Sequence, residues 1–249
     1  LDKNALGHIC AVGLVFLVST YASPLHRAIG NKIRTARYVD LTLLASMVWL
    51  LHLADAKTAL ACAMIGVGVV LLFARANASS QIPKILVIGL LLSVLGFLLE
   101  YSFGLSEMII SALGRDPTLT DRVYVWADVL ASDFNPVLGT GFESFWLGSR
   151  LDLLWQKYWW RPNQAHNGYI ETYVNLGVIG LVLLIAMVIA SLRRALALVQ
   201  ARQPLGSLKL ALLIVIPVFN YTDATFKALH ILYFTFFLMS MAGYSGQVE

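Results

Sequence analysis

The residues best placed to do chemistry cluster around position 170. His166 and Asn167 end a polar loop, and Glu171 and Asn175 follow inside an apolar run. Asn167, Glu171 and Asn175 recur every four residues, so on a helix they share one face. After Glu171 no charged residue appears until Arg193. A titratable ring therefore sits at the mouth of a membrane-length helix. Polar groups in such helices usually face a cavity or a partner rather than lipid. The positive end of the helix and nearby arginines disfavour an imidazolium there. A neutral imidazole is suited to taking a proton from a hydroxyl group. Gly177 and Gly180 would let another helix approach this one closely.

Other polar groups gather at the ends of apolar runs. Lys57 stands in a short turn beside Asp55, Arg115 and Arg122 open a long loop, and Asp223 and Lys227 lie in a late connection. Each has a plain reading too. Lys57 and Asp55 could form an exposed ion pair, which contributes little. Arg122 could snorkel to lipid headgroups. A basic set on one membrane face could instead hold a phosphate or pyrophosphate, and arginines would stabilise such a leaving group's charge. The chain has no P-loop, dinucleotide fingerprint or His-Glu-x-x-His pattern. His8, His26, His52, His166 and His230 have no partner at metal-ligand spacing, so neither a metal nor a cofactor is expected. Ser144 and Ser149 lack a nucleophile elbow. Cys10 and Cys62 sit in apolar runs and read as packing residues.

The elements that must position these groups are membrane helices. Of 249 residues, 59% are hydrophobic and 13% charged, against about 25% charged in soluble domains. Mean hydropathy is +0.75. Apolar segments occupy 5–21, 38–53, 58–74, 85–103, 168–190, 208–221 and 229–244. The expected fold is an all-α polytopic membrane protein of about seven transmembrane helices. Arg27, Lys32, Arg34, Arg37, Arg75, Lys84, Arg193, Arg194, Arg202 and Lys209 fall in alternate loops, which assigns those loops to the cytoplasm. The net charge of +4 follows from this bias and does not indicate nucleic acid. The long loop 104–167 is then periplasmic, with Lys57, Arg115, Arg122, His166 and Asp223 on its side of the membrane.

Within that loop, Thr118 to Asp121 offer caps, and Val123, Trp126 and Leu130 recur at helical spacing. A short amphipathic helix on the membrane is expected. Asn135 to Gly141 reads as a turn-rich loop. Phe145, Trp146, Trp155, Tyr158, Trp159 and Trp160 read as an interfacial aromatic belt or as a stacking platform for sugar or lipid.

Several stretches together resemble one family. They are Gly114-Arg-Asp-Pro-Thr-Leu-Thr-Asp-Arg-Val-Tyr-Val-Trp126, then Asn135-Pro-Val-Leu-Gly-Thr-Gly-Phe142, and Ala165-His-Asn-Gly-Tyr-Ile-Glu-Thr-Tyr-Val-Asn-Leu-Gly-Val-Ile-Gly180. Asp55-Ala-Lys-Thr-Ala-Leu60 and Asp2-Lys-Asn-Ala-Leu-Gly7 add weaker similarity. The chain resembles the O-antigen ligase / O-antigen polymerase superfamily, particularly its exopolysaccharide-production polymerase branch. The resemblance covers residues 1–249 as one membrane domain of a longer, N-terminally truncated protein. It implies a metal-independent inverting glycosyltransferase at the periplasmic face of the bacterial inner membrane. The implied donor is an undecaprenyl-diphosphate-linked glycan. The implied acceptor is another glycan-lipid for a polymerase, or lipid A-core for a ligase, with membrane lipids and a polysaccharide export pathway as partners. His166 is the implied base that activates the acceptor. Arg122, Lys57 and Arg115 would bind the diphosphate, and Asn167, Glu171 and Asp223 would orient the acceptor. Lys57 stands where many ligases carry Arg, and so lacks the bidentate fork. Asp55 and Ala56 replace serines of the family turn.

Two readings from other classes stand beside this one. A transporter or lipid-binding membrane protein would line a pathway with its polar groups. The strongly polar groups gather at one face, and no broken-helix pair or inverted repeat is visible, which weighs against it. A purely structural membrane subunit would tolerate combined loss of Lys57, Arg122 and His166.

Overall fold

A computed structural model of the chain describes residues 3–22, 34–75, 122–203 and 205–241. Every regular element among them is helical: α1 (Lys3–Ala22), α2 (Arg34–Leu53), α3 (Lys57–Arg75), α4 (Arg122–Ala131), α5 (Ser149–Lys157), α6 (Gly168–Gln200), α7 (Gly206–Thr222) and α8 (Ile231–Met241). Lys3–Ala22, Lys57–Ala74 and Gly168–Gln200 are long and apolar enough to cross a membrane. Tyr38–Leu53, Gly206–Thr222 and Ile231–Met241 are shorter apolar helices. The molecule is a helical polytopic membrane protein. The expected segment 85–103, the first part of the long loop and Arg115 lie outside the described residues.

Six apolar segments became helices close to their expected bounds, because a long uncharged run leaves the backbone no partner in lipid but itself. Two details differ. The fifth segment runs on through Arg193 and Arg194 to Gln200. Lys209, expected in a loop, lies inside the first turn of α7 and is buried.

The chain divides into two compact units, one formed by residues 1–78 and 182–249, the other by 79–181. In the first unit, α1 packs on α2 and α3, α3 packs on α7, and α7 packs on α1 and α8. Gly66 explains the tight centre. A Cβ there would lie 2.5 Å from Val15 Cγ2 of α1 and 3.1 Å from Val215 Cγ2 of α7. The core around it is built from Cys10, Val15, Cys62, Val70 and Ile216. Both cysteines are thus packing residues, as expected.

The second unit is built on aromatic rings. Phe145, Trp146 and Tyr158 are buried with Val125, Val129, Leu154, Ala165 and Val174. Phe134 and Phe145 meet edge-on at 5.9 Å, and Phe145 and Trp146 at 5.3 Å. This corrects the belt-or-platform expectation for most of the ring cluster. The rings are the core of the loop's own fold, and only Trp155 and Trp159 are exposed. The α4 helix forms where expected, but it packs through Val125 and Val129 while Val123 and Leu130 stay exposed.

Candidate active site

The site in the second unit is built around a buried carboxylate. Glu171 occupies the first turn of α6 and is 7% exposed. The Trp146 indole N–H stands 3.0 Å from both of its oxygens. The backbone N–H of Ala165 donates to Oε1 at 2.5 Å. Asn175 Nδ2 donates to the Glu171 carbonyl at 2.9 Å. An ionised carboxylate buried this deeply needs such donors, and charge-assisted bonds are the stronger class.

Those bonds position the histidine. The N–H of Ala165 is held by Glu171, and its carbonyl accepts the Trp126 indole N–H from α4 at 2.6 Å. On the other side, Asn167 Oδ1 accepts the N–H groups of Tyr169 and Ile170 at 3.0 and 3.1 Å. Asn167 is therefore the N-cap of α6. Between these two pinned residues, His166 adopts φ 51. The left-handed region costs a residue with a Cβ about 1–2 kcal/mol. Strain of this kind persists where surrounding bonds over-determine the backbone, and it clusters at functional sites.

The His166 ring is half-buried, 6.4 Å from the Trp160 ring, and its Nδ1 lies 3.2 Å from the Gln164 amide. That amide can present either its NH2 or its carbonyl, and its choice sets which ring nitrogen carries the proton. Arg122 begins α4, one turn before Trp126, so both lie on the α4 face that meets Ala165. The structure thus gathers His166, Asn167 and Glu171, and Arg122 stands one turn along α4 from the Trp126 that holds Ala165.

An ion pair braces this unit as well. Asp128 of α4 accepts Lys157 Nζ and Tyr158 Oη, both at 2.6 Å. Burial works to raise the Asp128 pKa, but the two hydrogen bonds and the Lys157 charge outweigh it and hold the carboxyl below its ordinary value.

The break in α6 is the other feature that shapes the unit. Gly177 has φ 64 and ψ −166 and interrupts the helix. The expected role for Gly177, a close helix approach, is replaced by a backbone one. The interruption frees carbonyls before it and N–H groups after it. The 135–141 loop fills the gap. Thr140 N and Gly141 N donate to the carbonyls of Val174 and Asn175, both at 2.9 Å. Val178 N donates to Pro136 O at 2.9 Å and Ile179 N to Val137 O at 3.4 Å. A Cβ on Gly177 would lie 2.1 Å from Val137 O, so only glycine fits.

Lys57 and Asp223 belong to the first unit. Lys57 is the exposed first residue of α3, after a turn in which Asp55 has φ 45. Asp223 caps the end of α7 and accepts the N–H of Ala224 at 2.9 Å. Its Oδ2 lies 3.6 Å from Nε2 of buried His8. The His8 ring meets Phe219 edge-on at 4.6 Å and lies 5.9 Å from the His230 ring. His230 Nδ1 accepts the N–H of Leu232 at 3.2 Å. Next to His8, a Cβ on Gly7 would lie 2.8 Å from Ala56 Cβ, which brings the Lys57 turn against the same end of α1. His8, His230, Trp146, Trp126 and Gln164 were not legible as site residues. The sequence signal for Glu171 was its place on the polar stripe of an apolar run, which called for a cavity or a partner. Among the described residues, no three His, Cys, Asp or Glu groups converge as a metal-ion set.

The O-antigen ligase family matches residues 42–185, a span that includes Lys57, Arg122, His166, Asn167 and Glu171 and leaves out His8 and Asp223. The exopolysaccharide production protein ExoQ of Rhizobium meliloti (strain 1021) is 32% identical over 91 residues. That stretch covers 34% of this chain and 21% of the relative's length. No solved structure matches the chain. Matched over more than half of its length, the chain belongs to the O-antigen ligase family.

Proposed function

We propose that the chain is the catalytic part of a membrane glycosyltransferase that polymerises glycan from an undecaprenyl-diphosphate-linked donor at the periplasmic face of the inner membrane. The observation that carries this is the held, left-handed backbone of His166 between Ala165 and the capping Asn167. It presents a histidine at a helix mouth in the family's own span.

In this reading a His166 ring nitrogen takes the proton of an acceptor sugar hydroxyl. The oxygen attacks the donor's anomeric carbon from the face opposite the leaving group. The bond from that carbon to the phosphate oxygen breaks, and its electron pair leaves with the lipid diphosphate. The configuration inverts. Arg122, Lys57 and Arg115 bind the diphosphate as its charge grows. Asn167 and Glu171 act by orientation, since their polar atoms hold backbone and indole N–H groups. Asp223, held near His8, is assigned to acceptor orientation.

Two other readings have specific support. The family's description names an O-antigen ligase, which suits the ligase reading, whereas the relative's name speaks of exopolysaccharide production. A broken helix, as at Gly177, is a feature of transporters. Here, though, the groups freed by the break are consumed by the 135–141 loop. The test is transfer from a synthetic lipid-diphosphate oligosaccharide by the full-length protein in nanodiscs, offered lipid A-core or a second glycan-lipid. Product on the glycan-lipid supports the polymerase. Product on lipid A-core alone supports the ligase. Substrate flux without covalent product would overturn both.

A further inference from the structure

The break at Gly177 lies where α6 turns apolar. Leu176, Val178 and Ile179 beside it are exposed, and no charged residue follows until Arg193. In a helix of membrane-crossing length and composition, such side chains face acyl chains. The loop that fills the break is apolar as well. Val137, Leu138 and Phe142 are 49%, 63% and 69% exposed. Four backbone hydrogen bonds tie Pro136, Val137, Thr140 and Gly141 to residues 174, 175, 178 and 179. Loop and helix therefore carry their exposed apolar groups at one level of the unit.

The loop's backbone meets the requirement that hydrocarbon imposes. Irregular backbone at membrane depth must have its N–H groups satisfied within the protein. Val137 N and Leu138 N donate to Asn135 Oδ1 at 2.9 and 3.0 Å. Gly139 N donates to Asn135 O at 2.8 Å, and Thr140 N and Gly141 N donate to α6. Pro136 has no N–H to place. Every N–H from residue 136 through 141 is thus occupied or absent. A loop facing water has no need of this, because water would serve the same groups.

We propose that residues 136–142 form a shallow re-entrant segment whose Val137, Leu138 and Phe142 side chains contact lipid acyl chains. The segment sits at the edge of the hydrocarbon nearest His166. The bilayer surface then passes near the helix break, with Glu171 and His166 on its polar side. This placement follows from exposure, backbone bonding and the apolar character of α6, and it stands whether or not the chain transfers glycans.

The test uses the full-length protein in phosphatidylcholine/phosphatidylglycerol vesicles, in a cysteine-free background. Nitroxide labels are placed at Leu138→Cys and Phe142→Cys, with Ile179→Cys as the apolar reference and Lys157→Cys as the aqueous one. Collisions with oxygen and with a water-soluble nickel chelate are compared. Labels at 138 and 142 are expected to match Ile179, favouring oxygen with loss of nickel broadening. Nickel access equal to that of Lys157 would overturn the proposal. A bilayer-dissolved diazirine reagent applied to the unlabelled protein gives a check independent of any variant. It should modify the peptide carrying Leu138 and Phe142 as well as the one carrying Ile179. Modification of the Ile179 peptide alone would show instead that the loop lies in water or under a protein partner.

Discussion

Trp146 and Glu171 share a buried hydrogen bond across 25 residues of chain, with the indole N–H 3.0 Å from each carboxylate oxygen. Through the same carboxylate, Ala165 is held beside His166. Trp146→Phe removes this donor together with part of the buried indole's volume. Hydrogen bonds to charged groups contribute about 1.5–3 kcal/mol, so a loss of that order is expected in thermal or denaturant unfolding of the purified protein. Glu171→Gln retains an acceptor oxygen and should cost less than Glu171→Ala, which leaves two buried N–H donors without it. Equal stability of Glu171→Ala and wild type would show that the carboxylate does not anchor the site.

Gly177 and Gly139 each lie against backbone of the facing segment. A Cβ on Gly139 would lie 2.4 Å from the Asn175 carbonyl carbon, and one on Gly177 would lie 2.1 Å from Val137 O. Both residues have positive φ. Gly177→Ala should destabilise by more than the 1–2 kcal/mol or so that left-handed backbone alone costs, because the clash is with backbone that cannot rotate away. Gly68 is the contrast, with nothing within 4 Å of its built Cβ. Gly68→Ala should be neutral or stabilise by about 0.5–1 kcal/mol. Parallel unfolding curves for the two variants make the comparison.

These two relationships show where the sequence was legible. The apolar runs could be read directly, since their length and lack of charge admit little but membrane helices. The stripe Asn167–Glu171–Asn175 was rightly read as one inward face. Its partners were not readable, because Trp146 lies 25 residues away and an indole in a packed core looks the same in sequence as one at a membrane surface. Burial of Phe145, Trp146 and Tyr158 followed from tertiary packing alone. Gly177 was read as a packing glycine because the apolar run continues through it without a break signal. His8 was invisible as a site residue because its partner, Asp223, arrives from the far end of the chain.

The Asp128 clamp gives a pH dependence with a defined sign. Its folded-state pKa lies below the unfolded one, through the Lys157 and Tyr158 contacts that outweigh burial. The clamp's contribution is therefore fully present above the unfolded carboxylate pKa and is lost as pH falls through the lower, folded one. Wild type should exceed Asp128→Asn in melting temperature at neutral pH, and the gap should close on acidification. A gap that stayed constant down through the carboxylate range would show that ionisation of Asp128 contributes nothing.

His8 and Asp223 should behave as a coupled pair. Nε2 and Oδ2 are 3.6 Å apart, and His8 is 5% exposed. In a double-mutant cycle, His8→Gln and Asp223→Asn are expected to show a coupling of about 0.5–3 kcal/mol, as residues in contact do. Strict additivity in unfolding measurements would show that they act separately.

Gln164 is placed to decide which ring nitrogen of His166 takes the proton in the proposed transfer. Gln164 stands 3.2 Å from His166 Nδ1, so Nε2 is the nitrogen turned away from that contact. His166→Ala is expected to lower transfer by about 10²–10⁴-fold, the usual contribution of a positioned acid or base. Gln164→Glu distinguishes the two tautomers. Its carboxylate only accepts, so it holds a proton on Nδ1 and leaves the Nε2 lone pair for the acceptor hydroxyl. With Nε2 as base, Gln164→Glu retains transfer while Gln164→Ala, which removes this contact, loses part of it. If Gln164→Glu abolished transfer and Gln164→Ala did not, Nδ1 would be the base, because the carboxylate would hold a proton on the nitrogen that has to accept one. Either variant should leave folding intact, since Gln164 is only half-buried, and melting curves beside the transfer assay check this.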